Sequence, residues 1–503
     1  MEQVKIGWAR KEISLDEPVA IPGQMSIRVS QGIADPLYAT ALCVDGGEDQ
    51  DAVIFCSMDT VAVPDTVMEG IRQKVAQLQP ELPVQCVIFN ATHTHTSMPL
   101  GPTATQTVDG RQIYPGEKSR DYVIEKAAEA VVEAWKNRVP GGMGYGYGYA
   151  VVAHSRRSVY LVDRGANNPD GIAPNGHAIM YGKTNDYRFS GYENGADHFL
   201  NLMFTFDKEN KLTGIVVNVP CPSQASELDT YLSADYWCEV RQMVAAEFGE
   251  DVFVLPQCAP AGDTSPRILH YLDAQERRME LKYGLSYEVK MRSLDDWRNR
   301  SKGERLDIAD RIVTGIKDVY SWAKKDIHTH IPVGHIGKGV QLERRKVTAE
   351  EAEYARKNLE QLGEYFEAAE QLEGEEKSKR LSHLQSIERR NKRAIERYEE
   401  KLDEEPFPMD LHVVRIGDIA FATNRFEYYT DFMHRIQARS PFIQTFAVQL
   451  AGGTGGTGSY LPVERAQLNK GYGSSMFCNT VGYQGGQQIV EHTLELLQEL
   501  KGE

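Results

Sequence analysis

Short apolar runs alternate with amphipathic helical segments over residues 1 to about 268, and this alternation restricts the fold more than any other feature of the chain. The runs AVIFCSMDTVAVP and VQCVIFN are typical of strands, whereas DTVMEGIRQKVAQL and SRDYVIEKAAEAVVEAW have helical periodicity. Strands that alternate with helices of this length predict an α/β fold with parallel strand pairs. Gly- and Tyr-rich segments between about 140 and 205 are typical of β-hairpins, so antiparallel strands are expected in the same sheet. We therefore predict a mixed sheet flanked by helices.

Residues 270–405 differ in composition from the rest, because charges are dense and strand signals are few. TAEEAEYARKNLEQLGEYFEAAEQL has apolar residues at spacings of three and four, and Thr348 with Glu351 supplies a capping box. The pattern repeats after a short break, which predicts an antiparallel αα-hairpin. We interpret the charges as solvated helix faces, with a partner-binding or dimerising arm as the alternative. The expected organisation is one discontinuous domain, residues 1–269 and 406–503, with a charged helical insertion at 270–405.

Charge and cysteine content exclude several classes of protein. A formal net charge of −16 over 503 residues opposes binding to nucleic acid or to anionic membranes, which both require clustered Lys and Arg. The first residues, MEQVKIGWARKEISLDEP, lack a signal-peptide pattern, and no apolar run approaches the roughly 20 residues that span a bilayer. Seven cysteines without a CxxC pair indicate reduced thiols. We expect a cytoplasmic protein that acts on a small molecule, with no nucleic-acid partner and no membrane insertion.

The stretch NATHTHTSMPLGP places His93 and His95 two residues apart, directly after an apolar run. In an extended strand, residues two apart point to the same face. The preceding LPVQCVIFN is typical of a strand buried on both faces, and the carboxyl edge of such a sheet is where ligands gather. Both imidazoles are therefore predicted to emerge together at this edge. The alternative is that the histidines merely end the strand.

Four further segments place polar side chains next to strands. In VNVPCPSQAS, Cys221 lies between two prolines, and in VLPQCAPAGDTSPR a turn is expected to expose Ser265. In ATNRFEYYTDFMHR, Glu427 is predicted to begin a helix, and the Gly-rich LAGGTGGTGSYLPVERAQLNKGYG presents Tyr460 and Tyr472. The Gly-rich loop lacks the ending of a phosphate-binding loop, and the G-x-S-x-G order of a nucleophile elbow is absent. These residue types at strand ends favour a metal centre, most of all zinc, over a Cys–His protease site.

NATHTHTSMPLGP and QCAPAGDTSPR resemble two signatures of the neutral/alkaline non-lysosomal ceramidase family, a set of zinc-dependent amidases. The resemblance covers both ends of the chain and omits residues 270–405. It implies that His93 binds zinc and that His95 is an active-site histidine. Ser265 corresponds to the serine proposed as the nucleophile, with capping of the following helix as its alternative role. SRRSVY is similar to the family's arginine-bearing segment, which implies that Arg157 contacts the substrate.

The same resemblance implies the other site residues. Glu427 corresponds to the family's zinc-binding glutamate, Tyr460 to its zinc-linked tyrosine, and Tyr472 to a second active-site tyrosine. Where the family has its second zinc histidine, this chain has Cys221. A thiolate binds zinc but adds negative charge, which weakens the metal as a Lewis acid. The implied centre holds one zinc per chain, or another divalent ion, on His93, Cys221, Glu427 and Tyr460.

The leading hypothesis is a zinc-dependent hydrolase that cleaves an amide (N-acyl) bond of a small, soluble substrate. The chain lacks the secretion signal and the C-terminal β-sandwich of secreted family members, so a lipid substrate is not expected. In this scheme Ser265 or a water activated by the metal attacks the carbonyl, and His95 moves a proton. Arg157 and Tyr472 hold or stabilise the oxyanion.

Two other functions stay open at this point. The same site would serve a metal-dependent hydrolase of an ester or glycosidic bond. A degenerate family member would instead act as a binding or scaffold protein through its helical arm. That arm is also where the sequence allows a homo-oligomer to form.

Overall fold

The computed structural model describes residues 2–48, 50–103, 107–162, 176–286, 294–453 and 459–502. Its strands are β1 (Lys5–Glu12), β2 (Tyr38–Asp45), β3 (Ala52–Met58), β4 (Val87–Ala91), β5 (Thr107–Val108), β6 (Arg111–Gln112), β7 (Val139–Tyr149), β8 (His154–Ser155), β9 (Arg157–Tyr160), β10 (Ala178–Met180), β11 (Phe189–Tyr192), β12 (Phe199–Asp207), β13 (Leu212–Val219), β14 (Phe253–Cys258), β15 (Thr264–Ser265), β16 (Val333–Leu342), β17 (Phe407–Ile416), β18 (Ile419–Thr423), β19 (Glu427–Tyr428), β20 (Gln444–Val448) and β21 (Tyr460–Leu461). Its helices are α1 (Asp65–Leu78), α2 (Gly116–Lys136), α3 (Tyr236–Phe248), α4 (Leu272–Tyr283), α5 (Leu294–Ala323), α6 (Ala349–Glu370), α7 (Gly374–Glu399), α8 (Thr430–Arg439), α9 (Glu464–Leu468) and α10 (Tyr483–Lys501). Among the described helices, none has the length and apolar character needed to cross a bilayer.

Two β-sheets stack face to face, and helices cover the outer face of each. The first sheet has the strand order β14-β13-β12-β7-β1-β2-β3-β4. Its pairs β13/β14 and β3/β4 are parallel and the others are antiparallel. The second sheet has the order β16-β17-β18-β20. The predicted α/β class, a mixed sheet flanked by helices with an αα-hairpin, is confirmed, and the stacked second sheet is an addition that the sequence did not reveal.

Alternate residues of the first sheet face two different cores, as the period of a strand requires. In β2, Ala41 and Cys43 pack in a core with α1, α2, α3 and α5, whereas Leu42 packs against the second sheet. Between the sheets, the rings of Phe55 in β3 and Phe421 in β18 have centroids 4.8 Å apart. Burying each large apolar side chain contributes about 1.5–3 kcal/mol, so both faces of this sheet stabilise the fold.

The second sheet is covered on its other face by α8 and α10. Leu411 and Val413 of β17 belong to one buried cluster with Phe432 of α8 and Leu497 of α10. The loops after β4, β13, β18 and β20 contact one another at the ends of these strands. The Ser223 hydroxyl donates to the Thr92 carbonyl, the Ala91 amide to the Leu450 carbonyl and the Asn424 amide to the Val448 carbonyl. The candidate site lies at these strand ends.

The segment 270–405 takes part in both halves of this architecture. Helix α5 packs on the first sheet through Ile308 and Ile312, and β16 is an edge strand of the second sheet through its pairing with β17. The division into a discontinuous domain, residues 1–269 and 406–503, and an insertion stays a prediction.

Helices α6 and α7 form the αα-hairpin. Its capping box is present, because the Thr348 hydroxyl accepts from the Glu351 amide at 3.2 Å and the Glu351 carboxylate accepts from the Thr348 amide at 3.0 Å. The two helices share a buried apolar seam that includes Leu362 and Leu384. Buried amide side chains of Asn358 and Asn391 also join the helices.

The hairpin is docked on the rest of the protein. The Ser382 hydroxyl of α7 accepts from the Ile27 amide at 2.9 Å, and the Ser386 hydroxyl donates to the Met25 carbonyl at 3.0 Å. Ala394 of α7 lies in a buried cluster with residues 476–478. One face of α7 is therefore turned toward the interior, although the role of the hairpin in a homo-oligomer stays a prediction.

Candidate active site

A cavity of about 430 Å³ lies between the strand ends and helix α7. One part of its lining, which we call the polar cluster, consists of His93, His95, Glu427 and Tyr460. Another part, the arginine row, consists of Arg389, Arg390, Arg393 and Arg397 of α7. Glu427 and Tyr460 are partners in a parallel pair between β19 and β21, so these two side chains come from adjacent backbone positions.

His93 reaches the cavity through a backbone kink. Strand β4 ends at Ala91, and His93 has a φ of +64°, which costs a non-glycine residue about 1–2 kcal/mol. The kink is held by the His93 amide, which donates to the Thr60 carbonyl at 2.9 Å. The predicted extended backbone is therefore wrong at this point, but the two imidazoles do lie together, with Nε2 of His93 3.3 Å from Nε2 of His95.

Hydrogen-bond partners determine which nitrogen of each ring carries a proton. His93 Nδ1 lies 2.7 Å from the Val61 carbonyl oxygen, which only accepts, so this nitrogen is the donor. His93 Nε2 then faces the cluster and lies 3.5 Å from Glu427 Oε2. His95 Nε2 lies 2.8 Å from the amide nitrogen of Gln224, which donates to it. Strain at His93 and this set of partners are typical of a functional site.

Arg156 is the main residue that sequence reasoning missed. Its side chain is 2% exposed. Its guanidinium donates to the Tyr460 hydroxyl at 2.9 Å, the Gly262 carbonyl at 3.0 Å, the Gln224 side-chain oxygen at 3.1 Å and Glu427 Oε2 at 3.5 Å. The signal was present in SRRSVY, where two adjacent arginines alternate sides.

Arg157 is the arginine that the resemblance implies, and its side chain lies on the opposite side of the backbone from that of Arg156. It donates to the Tyr429 hydroxyl at 3.4 Å and to the Gly262 carbonyl at 3.3 Å. Its guanidinium carbon is 5.5 Å from the centroid of the Tyr460 ring. Arg157 therefore borders the polar cluster without lining the cavity.

Burial and charge set the protonation states of the polar cluster. Burial alone would raise the pKa of Glu427, but His93 in its protonated form, Arg156 and Ser459 outweigh it and hold that pKa well below its usual range. Burial, and then the His93 ring, hold the pKa of His95 well below its usual range, so this ring stays neutral. Burial raises the pKa of Tyr460 well above its usual range, so its hydroxyl keeps the proton. The cluster thus combines a carboxylate, a neutral imidazole and a hydroxyl donor.

Tyr472 and Glu427 line the cavity, as the resemblance implies, although the local structure of Glu427 differs from the prediction. The Tyr472 hydroxyl accepts from Arg390 at 3.0 Å, and its ring centroid is 5.8 Å from that of Tyr460. Glu427 lies in strand β19, and helix α8 begins only at Thr430. The predicted helix start at Glu427 is wrong because this residue pairs with β21.

Cys221 and Ser265 do not line the cavity. Cys221 lies in the apolar core, its sulfur donates to the Val152 carbonyl at 3.3 Å, and burial raises the pKa of its thiol well above the usual range. From the same segment it is Gln224 that reaches the histidines. The buried Ser265 hydroxyl accepts from the Arg267 amide at 3.1 Å in a local turn. The alternative that Ser265 caps a helix is wrong, because the next helix, α4, begins only at Leu272.

The residues present do not fit the four-ligand zinc centre that the resemblance implies. Within the described part of the chain, no group of three or more His, Cys, Asp and Glu side chains is arranged to hold a metal ion. Glu427 and Tyr460, two of the predicted ligands, are bound to the Arg156 guanidinium. Two like unit charges about 4 Å apart repel by about 4 kcal/mol at the effective dielectric of a protein site, so this guanidinium opposes a divalent ion beside it.

The solved structures that resemble this chain include two ceramidases. Neutral ceramidase from Pseudomonas aeruginosa superposes with a TM-score of 0.63 over 99% of this chain and 75% of that chain, at 14% sequence identity. A ceramidase complexed with C2 superposes with a TM-score of 0.64 over 100% and 76%, at 13% identity. No protein-family model and no curated protein matches the sequence. The chain therefore has a ceramidase-like fold.

Proposed function

We propose that the protein is a hydrolase that cleaves the amide bond of a small N-acyl compound. The observation that carries this proposal is the pairing of His93 Nε2 with Glu427 Oε2 at 3.5 Å, beside the Tyr460 hydroxyl in one cavity. Amide hydrolysis requires a group that accepts a proton from the nucleophile and a donor for the oxyanion. The polar cluster contains both. Its setting in a ceramidase-like fold supports the choice of an amide bond.

His93 is the proton acceptor in this proposal. Because its Nδ1–H donates to Val61, the Nε2 lone pair is available to take a proton from water. The water oxygen forms a bond to the acyl carbon, and the Glu427 carboxylate stabilises the imidazolium that results. As the C–N bond breaks, His93 returns the proton to the leaving amine. The Val61 carbonyl holds the His93 ring in this orientation, and Gln224 holds the His95 ring.

Tyr460 is the oxyanion donor. Arg156 donates to the phenolic oxygen of Tyr460, so the Tyr460 O–H remains free to donate toward a bound carbonyl. A buried guanidinium next to this hydroxyl strengthens it as a donor, since the charge acts at a low local dielectric. Arg156 is thus a positioning residue that also supplies positive charge. A metal ion is not part of the proposal, because Arg156 already binds the oxygens that the ion would need.

Water is the nucleophile here, since the Ser265 hydroxyl is buried in its own turn and does not line the cavity. A volume of about 430 Å³ is at the lower end of ligand pockets, which measure roughly 300–1,000 Å³. The substrate is therefore a small molecule with a short acyl group.

The test is release of amine from short N-acyl compounds, with nitrophenyl esters and glycosides as comparison substrates. We expect amides to be cleaved, and His93→Gln to lower kcat about 10³-fold, the contribution of a general base. His492→Gln is the matched control, because His492 lies on α10 and does not line the cavity. Cleavage of esters or glycosides alone would contradict the amide assignment.

Elemental analysis and chelator treatment of the same preparation test the metal. We expect much less than one zinc per chain and no loss of turnover with EDTA. About one zinc per chain together with loss of turnover would restore the four-ligand prediction and overturn the role given to Arg156.

A further inference from the structure

The arginine row gives the cavity an unusual charge for this protein. The whole chain has a formal net charge of −16, yet four arginines of α7 line one cavity. Arg389, Arg393 and Arg397 follow each other at intervals of four residues, so they lie one helical turn apart on one face. Among the described lining residues, Glu427 is the one carboxylate, and it is already bound to His93 and Arg156.

Two arginines of the row have no carboxylate to neutralise them. Arg397 is paired with Asp403 at 3.0 Å, and Arg393 with Glu396 at 2.6 Å. Around Arg389 and Arg390, by contrast, the described residues include no carboxylate within 4 Å. The Arg390 guanidinium donates to a neutral hydroxyl, that of Tyr472. Two positive charges therefore remain available to the contents of the cavity.

Exposed lysines elsewhere on α7 show how the helix balances charges that do not line the cavity. Lys379 and Lys392 are exposed, and each pairs with a glutamate one turn earlier on the helix, Lys379 with Glu375 and Lys392 with Glu388, both at 2.6 Å. The charges of these two lysines are balanced by glutamates, whereas those of Arg389 and Arg390 are not. Uncompensated guanidinium groups on a concave surface are typical of oxyanion binding.

We propose that Arg389 and Arg390 bind an anionic group of the substrate, a carboxylate or phosphate attached to the amine side or the acyl side of its amide bond. This inference rests on the proposed amide hydrolysis, because it names the substrate class of the same cavity. Guanidinium groups bind such oxyanions through paired, charge-assisted hydrogen bonds. The substrate is then a small N-acyl anion and not a neutral lipid amide.

The first experiment compares three acetyl amides that differ only in the end group: those of ethanolamine, of ethanolamine phosphate and of glycine. For the wild-type protein we expect kcat/KM to be at least about tenfold higher for an anionic amide than for the neutral one, the value of one charge-assisted hydrogen bond. The better of the two anions identifies phosphate or carboxylate as the preferred group. Equal kcat/KM for all three would overturn the inference.

Variants of α7 test whether Arg389 and Arg390 cause the higher kcat/KM for anionic amides. Arg389→Gln with Arg390→Gln should bring the ratio of kcat/KM values close to one. Lys377→Gln with Lys379→Gln changes the net charge equally near the start of the helix, where both lysines are paired with glutamates, and should leave the ratio as in the wild type. Because Arg390 also holds Tyr472, Arg389→Glu is a second variant, and it should lower the ratio below that of the wild type while Arg390 is intact.

A binding measurement separates this inference from the proposed reaction. Inorganic phosphate is titrated into each protein by calorimetry, with thermal unfolding to confirm that the variants are folded. If no amide is cleaved but phosphate binds the wild type and not the Arg389/Arg390 variant, the anion site stands and the proposed hydrolysis is wrong. If amides are cleaved without preference and phosphate does not bind, the hydrolysis stands and the anion site is wrong.

Discussion

The polar cluster and the arginine row line the same cavity, but they are built in opposite ways. The residues of the cluster come from three separate segments at strand ends, and every one of them is bound to at least one buried neighbour. The row comes from one helix, and its Arg389 is exposed. The cluster residues are fixed by several partners, as the positioning of reacting groups requires, whereas the exposed Arg389 is placed to contact a substrate group that enters the cavity.

The cluster and the row also differ in what it costs to desolvate their charged groups. Arg156 and Glu427 are both buried, so each depends on the other to compensate its desolvation. Arg389 is exposed to solvent, where an unpaired charge costs little. Substitutions in the cluster should therefore change stability and turnover together, and substitution of Arg389 should change selectivity alone.

The largest expected difference is in the free energy of unfolding, between a variant that lacks the buried charge of Arg156 and one that lacks the exposed charge of Arg389. Arg156→Met should lower the free energy of unfolding by about 3–5 kcal/mol, because it leaves Glu427 buried without its guanidinium partner. Arg389→Met should change it by less than about 1 kcal/mol, as for other exposed charges. Urea unfolding of both variants measures this, and equal losses would show that the cluster is not desolvated as described.

A smaller effect is expected from Gly23, which packs against the His95 ring. Gly23 has a φ of +96°, and a Cβ there would lie 2.7 Å from His95 Cγ. Gly23→Ala should lower the free energy of unfolding by about 1–2 kcal/mol and turnover by about tenfold, through backbone strain and displacement of the ring. Gly110→Ala is the control, since Gly110 has a φ of +73° with nothing within 4 Å of the added Cβ. A normal turnover in Gly23→Ala would mean that the position of His95 is not critical.

The smallest expected effect is a decrease in the free energy of unfolding at acid pH. The pKa of His95 is held below its ordinary value of 6.5 by burial and by His93, so the unfolded chain binds a proton that the folded protein does not. The stability that depends on neutral His95 is complete above pH 6.5 and is lost as pH falls below it. The arginine row keeps its charge over this range, so phosphate binding should not weaken for this reason. His95→Gln should flatten the fall in unfolding free energy between pH 7 and 5, and an unchanged slope would contradict this assignment.

Local sequence patterns predicted much of the secondary structure, but few of the contacts between residues that are far apart in the sequence. The capping box at Thr348 and Glu351 was predictable because it involves residues three apart in one helix turn. The kink at His93 was not, because it depends on a contact with Thr60 from another strand end. Gln224 and Arg156 were missed because their roles depend on contacts with distant residues, although the adjacent arginines of SRRSVY pointed to that stretch.

The sequence by itself determined the α/β class, the hairpin, and the set of His, Glu and Tyr residues that end near one another. These features follow from the periods of strands and helices and from the short range of capping hydrogen bonds. Only the tertiary structure decided that a second sheet covers the first, that Arg156 lies against Glu427 and Tyr460, and that the arginines of α7 face a cavity instead of water. A charged helix face has the same sequence pattern in both environments, because its surroundings depend on how the helix packs against distant parts of the chain.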